Sequence, residues 1–279
     1  MLALAISLAS GLSWGVSDFL GGLQSRKLPA LAVLAVSQPA GLVIALAIVP
    51  LLGADPLPAD KLALAALGGA AGMGGLAAFY TALAVGTMSV VAPIAALGVV
   101  VPVAYGLAAG EQPGAIQLAG LVIAVVGVVV LGYEEEAEHA QVARRSIVLA
   151  LVSALGFGTF FTLLDVASPD RPGWAVVAAR VGGVAAVCAA LLAIRPELSG
   201  VAASFGVLLV IGGFDIAANT LFAVASTIGL LPVVAVGGST YPAFTLALAH
   251  LVLGERLRRA QQLGVALALL GVGLIAAGT

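Results

Sequence analysis

Residues 110–127 read GEQPGAIQLAGLVIAVVG, and the chain repeats their pattern at 254–271 as GERLRRAQQLGVALALLG. At an offset of 144 residues a Gly-Glu pair returns, followed by one glutamine and two further glycines in the same register. Single glycines coincide easily in a chain that holds 36 of them, but this ordered set is much harder to obtain by chance. The sequence therefore predicts two halves with one common fold.

The composition places this chain in a membrane. Hydrophobic residues make up 62% of its 279 residues and charged residues only 9%, whereas ordinary soluble domains are about 25% charged. So few charged groups could not cover a soluble globular enzyme, and the apolar excess excludes a disordered chain. A net charge of −2 leaves no basic patch for nucleic acid. The single cysteine, Cys188, excludes an internal disulfide framework and a Cys-rich metal site.

Ten long apolar runs separate the charged residues, and a helix of about 20 such residues crosses a bilayer core. Because the runs are continuous rather than alternating, helices are expected instead of barrel strands. The first run lacks the basic start of a cleaved signal peptide and has a counterpart in the second half, so we expect it to belong to the fold. The predicted spans are 3–23, 30–52, 62–84, 88–108, 114–132, 147–165, 174–194, 203–225, 230–252 and 260–277.

One charged segment divides the chain. Residues 134–145 carry six charges and no apolar run, so we expect a linker there between a first repeat at 1–133 and a second at 146–279. Residues 11–15 of the first repeat match 154–158 of the second at an offset of 143. Since each repeat has an odd number of spans, the second starts on the opposite side of the membrane. The predicted fold is an all-α integral membrane protein with ten transmembrane helices as two inverted five-helix repeats, as in many secondary transporters.

The same stretches resemble the EamA family of the drug/metabolite transporter superfamily. The resemblance rests on GLSWG at 11–15, on FYTALAVGTMSVVAPIAALG at 79–98, and on the two Gly-Glu turns at 110–111 and 254–255, and it covers nearly the whole chain. It implies ten helices in two five-helix repeats. It also implies transport of small metabolites, amino acids among them, without indicating which one.

Ionisable side chains inside the spans are the main candidates for function, because each costs about 2.5–3.5 kcal/mol to insert. Asp215 lies near the middle of span eight, and Asn219 shares its helix face one turn later. Asp215 and Asn219 are expected either to bind a substrate amine or a proton in a cavity, or to form a structural pair in which Asp215 binds Arg180 of span seven. Arg180 in turn either locks helices together or binds a substrate carboxylate.

Other ionisable residues have mainly structural interpretations. Asp18 lies in the last third of span one. It is expected either at the interface beside lipid headgroups or Arg26, since the glycines that follow it favour a helix end, or as a functional charged group inside the span. His250 either reaches to water beside a turn or relays protons. Glu111 and Glu255 are expected to cap helices at opposite membrane faces, because a carboxylate is favoured at a helix N-terminus.

The aromatic residues Trp14, Tyr80 and Tyr241 lie toward span centres rather than in the interfacial belt. Each either packs between helices or forms a cavity wall that stacks on a substrate. Prolines in spans four and nine free backbone groups, so hinges or binding notches are expected there. These are Pro93, Pro102, Pro232 and Pro242.

The sequence holds no HExxH, GxSxG or Walker motif. Asp165 and Asp215 are the nearest fit to an intramembrane aspartyl protease, but the glycine before the aspartate is missing and Asp165 sits at a span end. We therefore expect no catalytic residues, no cofactor and no metal.

Basic residues in the loops predict the orientation. Eight Lys and Arg lie on the side of the linker and two on the other, which predicts a cytoplasmic linker and both termini outside. Proteins of the resembling family more often have cytoplasmic termini, so the two indications disagree.

Together these features predict a multi-pass secondary transporter of the plasma (inner) membrane. It would move small polar or amphipathic metabolites by alternating access, with efflux favoured by family analogy and proton coupling as a hypothesis. The cavity is expected between spans one, three, four, six, eight and nine. The alternative is a non-transporting membrane scaffold or receptor subunit. The expected partners are a small-molecule substrate and the lipid bilayer, and the oligomeric state stays open.

Overall fold

The computed structural model describes residues 2–49, 57–110, 114–133, 140–167, 172–228, 237–238 and 240–277, and these residues form helices with no strand among them. A 3-10 turn at Ala96–Val99 joins α4 to α5. The helices are α1 (Leu2–Ser25), α2 (Ala30–Ile48), α3 (Ala59–Val85), α4 (Met88–Ala95), α5 (Val100–Ala108), α6 (Ala115–Tyr133), α7 (Ala140–Ala167), α8 (Pro172–Ile194), α9 (Val201–Ile228), α10 (Tyr241–Leu253) and α11 (Arg259–Ala277).

A helix lies at each of the ten predicted spans, with α4 and α5 sharing the fourth. Seven helical segments of the described chain are long and apolar enough to cross a membrane, and three apolar segments are shorter. One of the short segments is α10, which begins at Tyr241 although span nine was predicted from residue 230; residues 229–236 lie outside the described part of the chain. The all-helical multi-span class is thus confirmed, while the number ten stays a prediction.

Large apolar side chains lie on the outside of this bundle as well as in its core. Leu192 is 78% exposed and Leu251 77% exposed, whereas Phe79 and Leu34 are fully buried. Small polar residues are buried between the helices, and two serines join α1 to α9: Ser10 Oγ donates to the carbonyl of Ala218 at 2.8 Å, and Ser17 Oγ donates to that of Ile211 at 3.1 Å. An apolar outer belt around hydrogen-bonded small residues is what lipid selects.

The helix contacts are exchanged when the two halves are exchanged. Helix α1 packs on α9 and α10, and its counterpart α7 packs on α3 and on the α4–α5 segment. Helix α2 packs on α9, and its counterpart α8 packs on α3. The pairs α2–α8 and α6–α11 join equivalent helices of the two halves. This is the contact pattern of two like units related by a twofold axis.

The glycines matched in the sequence meet one another in the structure. A Cβ added to Gly120 would lie 2.7 Å from the carbonyl oxygen of Gly271, and one added to Gly127 would lie 2.8 Å from that of Gly264. Since Gly120 corresponds to Gly264 and Gly127 to Gly271, each contact is the image of the other. The order of the contacts also shows that α6 and α11 run antiparallel with their backbones touching.

The Gly-Glu turns begin with a glycine in the left-handed region. Gly110 has a φ of 93° and Gly254 a φ of 66°, and Gly254 ends α10 with its N–H bonded to the helix's last carbonyls. Only glycine adopts this conformation without steric cost. The repeated glycine is therefore the signal that ends a helix and starts a turn.

The fourth span is interrupted at its prolines. Pro93 lies inside α4, the 3-10 turn follows it, and Pro102 lies in the first turn of α5. Because proline has no N–H, Pro102 leaves the carbonyl of Gly98 without its helical partner, and this carbonyl packs against Gly158 of α7. In the other half, Pro242 stands in the first turn of α10, where its missing N–H is tolerated, so it starts a helix instead of kinking one. Pro232 lies outside the described residues.

Two boundaries differ from the sequence predictions. Helix α1 continues through Gly21 and Gly22 to Ser25, because Tyr80 and Leu83 of α3 press on the two glycines and leave no room for side chains there. Residues 140–145 of the predicted linker already belong to α7, and residues 134–139 lie outside the described chain.

Candidate functional site

A cavity of about 300 Å³ lies between the two halves. Residues of both repeats line it, from every described helix except α6. The predicted cavity helices are all among them, together with three others: α2 contributes Gln38, α8 contributes Arg180 and α11 contributes Val272. Most of the wall is apolar, so the few polar groups decide what the cavity can hold.

Arg180 and Asp215 form an ion pair in the cavity wall. Arg180 Nη2 lies 2.5 Å from Asp215 Oδ2, although the pair does not have hydrogen-bond geometry. Arg180 Nη1 also donates to Gln38 Oε1, so the guanidinium joins α8 to α2 and α9. The structure thus contains the pairing that was one of the two alternatives for Asp215, and places it within the cavity lining. Gln38 Nε2 is buried without a hydrogen-bond partner.

Asn219 lies one helical turn after Asp215 and also lines the cavity. Its Nδ2 donates to the backbone carbonyl of Asp215 at 2.7 Å. This bond to its own helix fixes the orientation of the Asn219 amide and satisfies one of its N–H donors. The predicted shared face of the two residues is what the structure shows.

Asp18 is the second carboxylate of the cavity, and its position corrects the interfacial interpretation. It is 8% exposed, lines the cavity from α1, and forms no hydrogen bond or ion pair with any described residue. Asp215 lines the same cavity. The correction follows from the length of α1: since the helix continues to Ser25, Asp18 stays within the bundle, away from the interface.

Aromatic rings form the walls beside these polar groups. Trp14 lies one helical turn before Asp18 and contacts Phe222, at a centroid distance of 5.7 Å, and Tyr241, at 6.5 Å with an edge-on ring. All three line the cavity. Three phenylalanines of α7 also line the cavity, and the sequence does not predict them as site residues. These are Phe157, Phe160 and Phe161.

Tyr80 is not one of the residues that line this cavity. It is 1% exposed and packs against Gly21 of α1, where a Cβ would lie 2.5 Å from the Tyr80 hydroxyl oxygen. Of the six predicted site residues, the structure therefore brings together Trp14, Arg180, Asp215, Asn219 and Tyr241, and sets Tyr80 beside them.

Glu255 and His250 lie away from the cavity, at one end of the bundle. Glu255 caps a helix, as predicted for its residue type, but the helix is α4 of the other half: its carboxylate accepts hydrogen bonds from the backbone N–H groups of Met88 and Ser89. The Nδ1 atom of His250, on an exposed side chain, lies 2.8 Å from the Glu255 carbonyl oxygen. Glu111 lies outside the described residues, as does the side chain of Asp165.

The profile of one protein family matches this chain twice. It is described as the EamA-like transporter family, and it matches residues 1–133 and again residues 144–277. The chain belongs to the EamA-like transporter family. This EamA-like protein matches no curated protein.

A solved structure shares the fold of this EamA-like protein. It is described only as "Crystal structure of protein", with a TM-score of 0.66 and 17% sequence identity, and the match covers 98% of this chain and 95% of that chain. At this identity the likeness concerns the fold alone.

Two polar cavity residues escaped sequence reasoning. Gln38 carries no charge and sits in an otherwise apolar run, but an amide in a span is costly unless paired, and that was the available signal. For Asp18 the sequence favours a position at the interface, because the two glycines after it resemble a helix end, whereas the structure places it in the cavity lining. Among the described residues no three His, Cys, Asp or Glu side chains group as a metal site would require.

Proposed function

We propose that this protein is a secondary transporter that moves small polar or amphipathic metabolites across the membrane by alternating access. The observation that carries the proposal is the cavity between two like halves, with an ion pair and a further carboxylate in an apolar and aromatic wall. Cavities at the interface of two repeats are where secondary transporters bind substrate. Family membership supports transport, and the site supports a small organic substrate.

The packing supports a division into fixed and moving parts. Helices α6 and α11 touch through glycine backbones, and α6 contributes no described residue to the cavity. Such a close contact has little room to slide, so we assign it to the part of the fold that stays joined. The broken α4–α5 span and the first turn of α10 both line the cavity, and we assign to them the local changes that open it alternately.

The membrane topology follows from the same proposal. Ten spans in two inverted repeats would place the linker at 134–145 on the side opposite both termini. The excess of basic residues on the linker side would make it the cytoplasmic side of a plasma (inner) membrane protein. The antiparallel course of α6 and α11 supports inversion of the repeats. The contact of Arg26 with Glu255, and of Glu255 with Met88, brings the ends of spans one, three and nine to one side, the side that also carries most of the basic residues. Efflux and proton coupling are proposed as its working mode.

The proposal is tested by transport in proteoliposomes. The purified protein would be reconstituted and assayed with a panel of labelled metabolites, with and without a pH gradient. Wild-type protein should move at least one compound above empty liposomes, and Asp215→Asn should lose that flux. Asp60→Asn, which removes an exposed carboxylate at the start of α3, serves as the matched control and should transport normally.

The outcomes separate transport from the scaffold alternative. No flux for any compound in either direction, from protein that is folded and correctly inserted, would contradict the proposal and favour a non-transporting scaffold or receptor subunit. Equal flux in wild type and Asp215→Asn would leave transport intact but remove Asp215 from the site. A flux that does not respond to the pH gradient would overturn proton coupling alone.

A further inference from the structure

We propose that the substrate is an organic monocation with an aromatic or apolar body, and that its amine is held by Asp18. The inference rests on the proposed function and names the substrate class of the same cavity. It starts from the charges that line the cavity in the described part of the chain. These are Asp18, Arg180 and Asp215.

The charge of Arg180 is already neutralised. Its two terminal nitrogens contact Asp215 and Gln38, and Asp215 already balances its charge. A substrate carboxylate at the guanidinium would therefore add a second anion to one cation in a largely apolar wall, and burying an uncompensated charge is strongly unfavourable. The charge balance therefore disfavours Arg180 as an anion site and leaves Asp18 as the cavity charge that a substrate could pair with.

Asp18 is that remaining charge. It is more than nine-tenths buried, lines the cavity, and has no hydrogen-bond or ion-pair partner among the described residues. Arg180 balances Asp215, the other carboxylate of the cavity, so the charge of Asp18 is the one left uncompensated among these three residues. A buried ionised carboxylate requires either a proton or a cation, and a cationic ligand in the cavity would supply the second.

The wall around Asp18 selects an organic cation over a metal ion. Metal cations such as Ca²⁺ need six or more oxygen ligands, and the described residues provide no such cluster. Trp14 lies on the same face of α1, one turn away from Asp18, and Trp is the ring that attracts cations best. Phe222 and Tyr241 extend the ring surface from Trp14, so an amine at Asp18 would carry its apolar body along these rings.

Exchange of the cation for a proton follows from the same group. A proton that binds the Asp18 carboxylate neutralises it and releases the cation, and the reverse step loads the cation and releases the proton. Among the described residues, the titratable or charged groups that line the cavity with Asp18 are Arg180 of α8, Asp215 of α9 and Tyr241 of α10, and Tyr80 of α3 packs against Gly21 of the same helix as Asp18. Asp215 is held by Arg180, which leaves Asp18 as the group that changes state.

The test uses four phenyl compounds of similar size that differ in charge. They are 2-phenylethylamine (cation), phenylalanine (zwitterion), 3-phenylpropionate (anion) and 2-phenylethanol (neutral). Binding of labelled 2-phenylethylamine to the purified full chain would be measured, with the other three as competitors. We expect 2-phenylethylamine to bind and each competitor to be at least about tenfold weaker, as expected for a buried charge pair.

Variants assign the binding to Asp18. Asp18→Asn should weaken 2-phenylethylamine binding at least about tenfold, Asp18→Glu should retain part of it, and Asp60→Asn should not change it. The competitor series on the wild-type protein keeps the test valid if Asp18→Asn fails to fold. Absence of 2-phenylethylamine binding, tighter binding of phenylalanine or 3-phenylpropionate, or equal binding by wild type and Asp18→Asn would each overturn the proposal.

Failure of this inference differs from failure of the proposed function. If the metabolite panel finds transported compounds and none of them is a cation, the substrate class is wrong while transport stands. If no panel compound is moved and 2-phenylethylamine does not bind, both proposals are wrong.

Discussion

Glu255 follows α10 in the second half of the chain, and its carboxylate binds Ser89 at the start of α4 in the first half. It accepts from the Ser89 backbone N–H at 3.1 Å and from the Ser89 hydroxyl at 2.9 Å. The same carboxylate lies 3.4 Å from Arg26 at the end of α1. One side chain therefore joins three helix ends: the end of α1, the start of α4 and the end of α10. The contact lies at one end of the bundle and crosses the boundary between the repeats.

The first prediction concerns this cap. Glu255→Ala should lower the free energy of unfolding by about 1–2 kcal/mol, since a side-chain cap of a helix N-terminus contributes that much. The exposed Arg26 contact should add little. Thermal unfolding in detergent would measure the change. Glu197→Ala removes an exposed glutamate whose bond is to nearby Ser199 and should have a much smaller effect; equal losses in the two variants would contradict the capping role.

The second prediction separates the structural from the functional role of the buried ion pair. Arg180→Gln and Asp215→Asn should each destabilise the protein by about 3–5 kcal/mol, because each leaves a buried charge unpaired. The double variant should recover much of that stability. Transport by the three variants then decides the role: a pair needed only for folding would regain flux in the double variant, whereas a pair needed in the site would not.

The third prediction concerns the contact between α6 and α11. Gly271→Ala should destabilise the protein, because its Cβ would collide with the backbone of Ala124. Gly273→Ala, in the same helix, meets nothing within 4 Å and should be neutral or stabilising by about 0.5–1 kcal/mol through helix propensity. Unfolding of the two variants side by side is the measurement. A Gly271→Ala protein as stable as Gly273→Ala would show that the contact does not hold the halves together.

The fourth prediction uses the two tryptophans of the chain. Trp14 lines the cavity. Trp174 packs against a separate apolar cluster formed by Ala45, Val49, Val177 and Ile216. Trp14→Ala should reduce substrate flux by about tenfold, since the variant loses a ring contact of about 1 kcal/mol and more of apolar area. Trp174→Ala should alter stability more than flux. Flux assays normalised to folded protein give the comparison, and a loss of flux confined to Trp174→Ala would place the substrate elsewhere.

The fifth prediction concerns pH and applies to the cation proposal. A proton and an organic cation compete for Asp18, so 2-phenylethylamine binding should weaken as the pH falls and recover as it rises. Asp18→Asn has no carboxylate to protonate, and its residual binding should lose this dependence. Equilibrium binding across a pH series would show it. A dependence of the same size in both proteins would assign the proton to another group.

The sequence predicts some residues of the candidate site and misplaces others. Asp215 and Arg180 were found because charge inside an apolar run is rare and costly, and their pairing was one of two alternatives. Tyr80 was selected on the same reasoning as Tyr241, yet one is packed against Gly21 and the other lines the cavity. Position within a span gives the depth of a side chain, but its direction depends on which helices pack against that span.

Asp18 marks the clearest limit. The glycines at 21 and 22 look like a helix end in the sequence, because isolated glycine weakens a helix. In the fold they are contact points for Tyr80 and Leu83, and α1 continues past them. Asp18, one turn before these glycines, lines the cavity between the helices, and that position depends on how the helices pack around α1.

The sequence by itself determined the class, the helical spans and the two like halves, because apolar run length, loop charge and repeated Gly-Glu turns are local properties of the chain. Only the tertiary structure decided which helices pack against one another and that Glu255 caps a helix of the opposite repeat. It also decided that Arg180 pairs with Asp215, while Asp18 stays unpaired among the described residues. The physical reason is that charge pairing and cavity lining depend on distances between helices. Close backbone contacts at glycines set those distances, and they join helices that are more than a hundred residues apart in the chain.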